Sequence, residues 1–221
     1  AGKLFLQQTA CTINNRKGEP IYYTLDGSEP TQQSMRYTSP VKIDTTATLK
    51  AKSIAENGRG SATVSALFEK AVYREADAKT GNLQQGLLFK YFEGEWNGLP
   101  DFSTLQSAAS GIAAKIDISK CKRSDNIGLE FKGFIRVPQN GIYTFYTESD
   151  DGSQLFIGDK KIVDNDGLHG MREKSGQVAL KSGFHAVRVI FFESGGDEGL
   201  ITRYAGPEVA KQEIPENVLF H

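Results

Sequence analysis

The chain has 221 residues, of which 26 are basic and 27 acidic, and a formal net charge of -1. Because a nucleic-acid surface carries a concentrated positive footprint, these interspersed charges exclude nucleic acid as the expected partner. No apolar run approaches the roughly 20 residues that a transmembrane helix needs, so we also expect no membrane span.

Composition and spacing predict an all-β chain with two domains. Twenty-three glycines against seven prolines, with short alternating runs between Gly-containing turns, are typical of tight hairpins. The length favours a small domain followed by a medium one, which we place at residues 1–71 and 86–221, with a polar linker at 72–85. Cys11 and Cys121 then fall in different domains and are predicted to be separate thiols.

The first domain is predicted to be a small β-sandwich. Alternating runs at 47–54 and 61–68 flank Asn57-Gly58, which is a strong hairpin signal because both central residues of the favoured turn need positive φ. A further strand at 20–25 is closed by Asp26-Gly27. Asp26, Ser28 and Thr31 are predicted to hydrogen-bond within their own turn.

Two motifs of this domain are specific to a known family. The run Tyr22-Tyr-Thr-Leu-Asp-Gly-Ser-Glu-Pro-Thr31, followed by Tyr37-Thr-Ser-Pro40, resembles the chitobiase/β-hexosaminidase C-terminal domain family. The resemblance covers roughly residues 5 to 70. It implies an immunoglobulin-like, non-catalytic module of the kind that is appended to bacterial glycosidases and related secreted enzymes.

The second domain is predicted to be a larger, barrel-like β-sandwich. Apolar alternation predicts seven or eight strands joined mostly by hairpins, at residues 86–92, 127–137, 142–147, 154–157, 161–163, 177–180, 185–192 and 200–205. On the second of these strands, Leu129, Phe131, Ile135 and Val137 share one face. Residues 105–114, which are rich in Ala and Ser, are predicted to form a short helix or an irregular crossover.

This domain resembles the PA14 family, named for the N-terminal segment of the toxin component protective antigen. The matching stretches occur in the family's order at residues 141–145, 149–157, 162–169, 174–185 and 204–207. The resemblance implies a β-barrel module that is attached to glycosidases, adhesins and toxins and binds carbohydrate in many settings. Gly158-Asp159 departs from the family's usual Asp-Gly, and glycine in first place favours a type II′ hairpin turn.

The loop Ser149-Asp-Asp-Gly-Ser153 places two adjacent carboxylates between strands. Such a loop suits a calcium ion, a sugar, or a turn whose carboxylates bond backbone N–H groups. In the fungal adhesin branch that this domain resembles, the paired aspartates are joined by a cis peptide and hold a calcium ion that contacts sugar hydroxyls. An Asn side chain and backbone carbonyls of a later loop complete that site. The resemblance implies Asp150, Asp151 and Glu193 as candidate calcium and carbohydrate ligands, with Glu193 standing where the Asn would be.

Two other stretches invite a ligand interpretation. The run 164–169 fails the calcium-loop pattern because its fifth position is Leu168 and its twelfth is Ser175; we therefore predict turn residues and a locally bonded His169. Trp96, the only tryptophan, is a candidate platform for the apolar face of a sugar. A packed tryptophan is the alternative.

The sequence contains no Gly-x-Ser-x-Gly elbow, phosphate-binding loop, His-Glu-x-x-His or Cys-x-x-Cys motif. The two family resemblances together imply a non-catalytic accessory region of a secreted, periplasmic or cell-surface bacterial glycoside hydrolase, a β-N-acetylhexosaminidase. The second module would bind a glycan, and a catalytic glycosidase domain would lie in the same parent chain. The alternatives are a structural spacer that packs on a catalytic domain and binds no sugar, and a fragment of an adhesin.

Overall fold

A computed structural model describes residues 3–15, 18–77 and 81–221. These residues form β-strands joined by turns and by single-turn 3₁₀ helices at Phe102–Thr104, Ile118–Lys120 and Glu216–Val218. The all-β prediction is confirmed. The chain forms two compact units, Ala1–Val72 and Tyr73–His221. In the described ranges, no helix has the length and hydropathy that crossing a bilayer requires.

The first unit contains two sheets. Its strands are β1 (Lys3–Phe5), β2 (Thr9–Cys11), β3 (Ile21–Thr24), β4 (Met35–Arg36), β5 (Val41–Ile43), β6 (Ala47–Ser53) and β7 (Val64–Lys70). Five of them pair in the order β1-β7-β6-β3-β4, and β2 pairs with β5. β1 runs parallel to β7, whereas the other pairs are antiparallel. The core consists of Phe5, Ile21, Val41, Ile43, Leu49, Ala51 and Phe68.

The turns of this unit mostly follow their sequence signals. β6 and β7 pair as predicted on either side of Asn57-Gly58. Of these two turn residues only Gly58 has positive φ, at +80°, and its N–H donates to the carbonyl of Ala55, so the turn is not the two-residue type that the Asn-Gly pair favours. Asp26 Oδ1 accepts hydrogen bonds from the backbone N–H of Ser28 at 2.9 Å and from its hydroxyl at 2.6 Å. Thr31 Oγ1 accepts one from the N–H of Gln33 at 3.2 Å. The prediction that these side chains hydrogen-bond within their own turn is confirmed.

The second unit is a two-sheet, barrel-like structure. Its strands are β8 (Leu87–Glu93), β9 (Ala109–Ala113), β10 (Ile127–Val137), β11 (Gly141–Asp150), β12 (Ser153–Ile157), β13 (Lys160–Asn165), β14 (Arg172–Leu180), β15 (Gly183–Glu193), β16 (Gly199–Gly206), β17 (Val209–Glu213) and β18 (Leu219–Phe220). The larger sheet has the order β13-β12-β15-β10-β8-β9, with β18 beside β10, and the smaller has the order β14-β11-β16-β17.

Alternating side chains of both sheets fill the interior of this unit. Leu129, Phe131, Ile135 and Val137 on β10 are at most 1% exposed, as the alternation predicts. The adjacent strand β15 contributes Val187, Val189 and Phe191. Because full burial of each such side chain stabilises the fold by about 1.5–3 kcal/mol, this core fixes the ends of β11 and β15, where the acidic residues lie.

The prediction for residues 105–114 is wrong. Residues Ala109–Ala113 form the edge strand β9, which pairs with β8 over five residues. Four of these five residues are Ala, Ser or Gly, which do not favour a strand by propensity, but pairing with a buried neighbour overrides a weak local preference. A Cβ at Gly111 would lie 3.1 Å from the Phe89 ring, so the small residue allows the strand to approach its neighbour closely.

The polar interval 72–85 is hydrogen-bonded to the second unit through its described residues. The N–H groups of Arg74, Asp77 and Gln84 donate to backbone carbonyls at 2.8, 2.8 and 2.9 Å. The Arg74 guanidinium lies 2.7 Å from Nδ1 of the buried His185 and 2.8 Å from the Asp77 carboxylate. Residues 78–80 lie outside the described residues. The domain limits drawn from the sequence stay predictions.

Candidate functional site

Three carboxylates meet at one end of the second unit. Asp150 ends β11, Asp151 follows it, and Glu193 ends β15. β11 belongs to the smaller sheet and β15 to the larger one, so both sheets contribute acidic side chains. Carboxylate oxygens of the three residues lie within 4.8 Å of one another. The structure thus brings together the three acidic ligands suggested by the sequence, and the Asp150-Asp151 peptide bond is cis.

Asp151 is fixed by two loops. The side chain is 5% exposed. Its Oδ1 accepts a hydrogen bond from the backbone N–H of His169 at 2.8 Å, and its Oδ2 accepts one from the N–H of Ser194 at 3.1 Å. Hydrogen bonds of this kind hold the carboxylate in place. Each oxygen still has a second lone pair available for a cation.

Glu193 is buried but only half satisfied. The side chain is 0% exposed, and Oε1 accepts a hydrogen bond from the N–H of Gly195 at 2.7 Å. Oε2 is buried and has no hydrogen-bond donor among the described residues. Leaving a buried polar atom without a partner costs about 1–3 kcal/mol, and more when it is charged. Burial, followed by repulsion from Asp151, raises the pKa of Glu193 to about 7.

Asp150 is the more exposed member of the cluster. Burial raises its pKa, and the charges of Asp151 and Asp197 raise it further, whereas His169 and the N–H of Met171 lower it. Repulsion between the carboxylates therefore opposes ionisation at two of the three positions. A bound cation would remove that repulsion, because an opposite charge within about 4–6 Å favours the ionised form.

A buried polar network lies directly behind the cluster. The hydroxyls of Ser149 and Ser153 lie 2.7 Å apart, and the side-chain amide of Asn165 donates to Ser149 at 3.2 Å and to the carbonyl of Arg172 at 2.9 Å. Arg172 Nε donates to Asn165 Oδ1 at 3.0 Å. The network ties β11, β12 and the start of β14 together, so the backbone that carries Asp150 and Asp151 is supported from inside.

The loop between β13 and β14, residues 166–171, forms one wall of the site. Asp166 Oδ1 accepts from the N–H of Leu99 at 2.9 Å and of Gly167 at 2.8 Å. The two ring nitrogens of His169 each lie 2.9 Å from a backbone carbonyl oxygen, those of Gly170 and Asn165. The prediction of a locally bonded His169 is confirmed. We call this segment the 166–171 loop.

Trp96 belongs to a small cluster of aromatic and apolar side chains. It packs edge-on against Phe102, with 5.9 Å between ring centroids, beside the buried side chains of Phe92 and Ile190. A Cβ at Gly128 would lie 2.5 Å from the Phe102 ring, so that glycine makes room for the aromatic pair. Trp96 remains half-buried, and its role as a platform for a sugar stays a prediction.

The cluster offers only oxygen ligands. Calcium and magnesium prefer carboxylate and carbonyl oxygens, whereas zinc prefers the nitrogen and sulfur of His and Cys. The sequence did not reveal the backbone donors of His169 and Ser194, because an N–H group leaves no signal in the residue type. The burial of Glu193 was equally hidden. Its spacing of two and four residues from Phe191 and Val189 along β15 could have indicated that it faces the interior with them.

The fold and the cluster define a β-barrel module that carries an acidic, oxygen-lined site at one end, preceded by a small β-sandwich module. The chain belongs to the PA14 domain family, whose model matches residues 84–217. Residues 1–65 match the chitobiase/beta-hexosaminidase C-terminal domain. Both resemblances that the sequence motifs suggested are confirmed.

A curated relative matches most of this chain in sequence. The beta-hexosaminidase of Porphyromonas gingivalis is 24% identical over 196 residues, which cover 85% of this chain and 25% of that protein. The chain therefore spans a quarter of the length of the curated relative that it matches.

Solved structures show the same fold at low sequence identity. The PA14 sugar-binding domain from an RTX adhesin is 16% identical with a TM-score of 0.54, covering 62% of this chain and 98% of its own. The A domain of Epithelial Adhesin 9 from Candida glabrata, in complex with Galβ1-3GlcNAc, is 10% identical with a TM-score of 0.52, covering 67% and 94%. The PA14 domain of the MpAFP antifreeze protein is 18% identical with a TM-score of 0.54, covering 66% and 96%.

Proposed function

We propose that this chain is a non-catalytic accessory region of a bacterial glycoside hydrolase, a β-N-acetylhexosaminidase, and that its second module binds a glycan. The relative named a beta-hexosaminidase and the match of the first module to the chitobiase/beta-hexosaminidase C-terminal domain support the parent enzyme. Binding of the glycan by the second module would keep a catalytic domain of the parent chain near its substrate and raise its effective concentration. The parent is proposed to act outside the cytoplasm, as a secreted, periplasmic or cell-surface protein.

One observation carries the proposed site. Oε2 of Glu193 is buried without a hydrogen-bond donor among the described residues, and it belongs to a cluster of three carboxylates within 4.8 Å. A cation is the group that such a set of oxygens fits, because it supplies the missing partner and offsets the mutual repulsion. Calcium is the cation that we propose for Asp150, Asp151 and Glu193.

Each residue of the cluster would contribute differently to holding the calcium ion. The two backbone donors on Asp151 set the position of its carboxylate, and the cores of both sheets hold Asp150 and Glu193 at adjacent strand ends. When bound, calcium supplies coordination positions that sugar hydroxyls can occupy. An ionised Glu193 carries a charge that an asparagine would lack. On charge alone, this site is therefore expected to hold calcium more strongly than a site with asparagine at the same position.

A purely structural aspartate pair explains only part of this geometry. Both oxygens of Asp151 accept backbone hydrogen bonds, as a structural role requires. That role gives no reason for a third carboxylate to be buried beside them with one oxygen unpartnered. The cation site accounts for both observations.

The test is a glycan panel probed with the full 221-residue chain, with added calcium and again after chelation. We expect saturable binding to a subset of glycans that is lost with chelator and with Asp150→Ala. Asp164→Ala serves as the matched control, because Asp164 bonds Lys161 and Gln154 and lies outside the cluster. Absence of saturable binding to any glycan would refute the proposal and favour a structural spacer.

A further inference from the structure

Two large apolar side chains stand exposed at the rim of the acidic cluster. Leu168 is 55% exposed and Met171 is 47% exposed, and both belong to the 166–171 loop. Large apolar side chains at the surface are unremarkable when they are scattered singly. These two are distinguished by their position, because they flank a residue that bonds directly to a carboxylate of the cluster.

Backbone contacts of the 166–171 loop bring Met171, and the residue that follows Leu168, next to the carboxylates. The N–H of His169, next to Leu168, donates to Asp151 Oδ1 at 2.8 Å. The N–H of Met171 lies close enough to Asp150 to lower the pKa of that carboxyl. The Met171 side chain also lies over Gly199, where an added Cβ would be 3.0 Å from its terminal methyl group, and Gly199 is the partner of Asp150 in the sheet.

The loop that carries these side chains is held before any ligand arrives. At the start of the loop, Asp166 Oδ1 accepts a hydrogen bond from the N–H of Leu99, and the ring nitrogens of His169 each lie 2.9 Å from a backbone carbonyl oxygen within or next to the loop. A preorganised apolar surface binds more strongly than one that must first be ordered, because less conformational freedom is lost on association.

The exposed side chains of Leu168 and Met171 lie on this loop, so we expect a sugar whose hydroxyls reach the cation to bring a neighbouring substituent to them. A hydroxyl in that position would lose water without gaining a hydrogen bond from an apolar side chain. A methyl group would instead gain from burial.

We propose that Leu168 and Met171 are specificity-determining contacts that select sugars bearing a methyl group beside the metal-binding hydroxyls. This inference rests on the proposed function. The methyl group can belong to an acetamido substituent or to a 6-deoxy carbon, and the ligands of the test distinguish these two sources.

The experiment titrates the full chain, in calcium, with galactose, N-acetylgalactosamine and 6-deoxygalactose, and with the three corresponding glucose sugars. We expect at least one methyl-bearing sugar to bind about fourfold more tightly than its parent sugar, which corresponds to burial of one methyl-sized group at roughly 0.8 kcal/mol. The double variant Leu168→Ser/Met171→Ser should lose this preference and keep its calcium affinity, which is measured separately by calorimetry.

The chain offers a matched control. Leu88 and Met35 are 53% and 50% exposed, and they lie on β8 and β4 rather than on the 166–171 loop. The double variant Leu88→Ser/Met35→Ser should retain both the sugar preference and the calcium affinity. Equal affinity of the unmodified chain for methyl-bearing and parent sugars would overturn this inference but not the proposed function. A preference for methyl-bearing sugars that survives in Leu168→Ser/Met171→Ser would do the same. Failure to bind any sugar in calcium would overturn the proposed function together with it.

Discussion

Replacing Glu193 with glutamine is expected to stabilise the metal-free protein at pH 8. Burial raises the pKa of Glu193 to about 7 from its ordinary value of 4.5, and Asp151 adds to the effect. Because the folded-state pKa lies above the unfolded one, this carboxyl contributes stability at low pH that is lost as the pH rises from about 4.5 through about 7. The difference of about 2.5 pH units, at roughly 1.36 kcal/mol each, amounts to on the order of 3 kcal/mol.

The assay is urea denaturation in chelator at pH 5 and pH 8, followed by tryptophan fluorescence. Trp96 is the only tryptophan and lies in the second unit, so its signal reports the unfolding of the unit that contains Glu193. At pH 8, Glu193→Gln should exceed the unmodified chain in free energy of unfolding, whereas at pH 5 the two should be similar. With saturating calcium the order at pH 8 should invert, because the unmodified carboxylate then gains a partner.

Glu130→Gln provides the control. Glu130 is also buried, at 3% exposed, but it is paired with Arg188 at 2.8 Å and with Lys132 at 2.9 Å. Its replacement should destabilise the protein at both pH values, since it removes a partner from two cations. The account of Glu193 would be refuted if Glu193→Gln were less stable than the unmodified chain at pH 8 without metal.

Three further predictions concern the rest of the chain. Burial lowers the pKa of His185, so the stability that the neutral imidazole contributes should be lost as the pH falls below about 6.5. The melting temperature should therefore change less between pH 7.5 and pH 5.5 in His185→Gln than in the unmodified chain. A Cβ at Gly176 would overlap the carbonyl oxygen of Ile162, so Gly176→Ala should lower the free energy of unfolding by about 1–3 kcal/mol, while Ser175→Ala in the same strand should change it little. Burial raises the pKa of the Cys121 thiol to about 12, so it should react with a thiol reagent at pH 8 at least about tenfold more slowly in the folded chain than in urea.

Much of the fold followed from alternation and turn chemistry. The inward face of β10 was predicted residue by residue, because a strand with one buried face reads as a period of two. The Gly158-Asp159 turn keeps its two-residue hairpin between β12 and β13, with positive φ at Gly158. β9 was missed, because its identity depends on the neighbour with which it pairs and the small residues of 109–113 carry no strand signal of their own.

The candidate site was predictable only in its side chains. Asp150 and Asp151 stand out because they break a strand pattern, and the family resemblance pointed to Glu193. The geometry that makes them a cluster is set by the packing of two sheets and by N–H groups of distant loops, including those of His169 and Ser194. Such contacts join residues 18 and 43 positions apart in sequence, and no local pattern records them.

Asp150, Asp151 and Glu193 are proposed to hold one calcium ion together. Calorimetric titration of the chelator-treated chain with calcium chloride tests this proposal most directly. We expect a single site for the unmodified chain and an affinity weakened about tenfold or more by Glu193→Gln, since the charge count of the ligands sets calcium affinity. Glu130→Gln should leave the isotherm unchanged. An unmodified chain that shows no saturable calcium binding, or an affinity that Glu193→Gln leaves intact, would contradict the account.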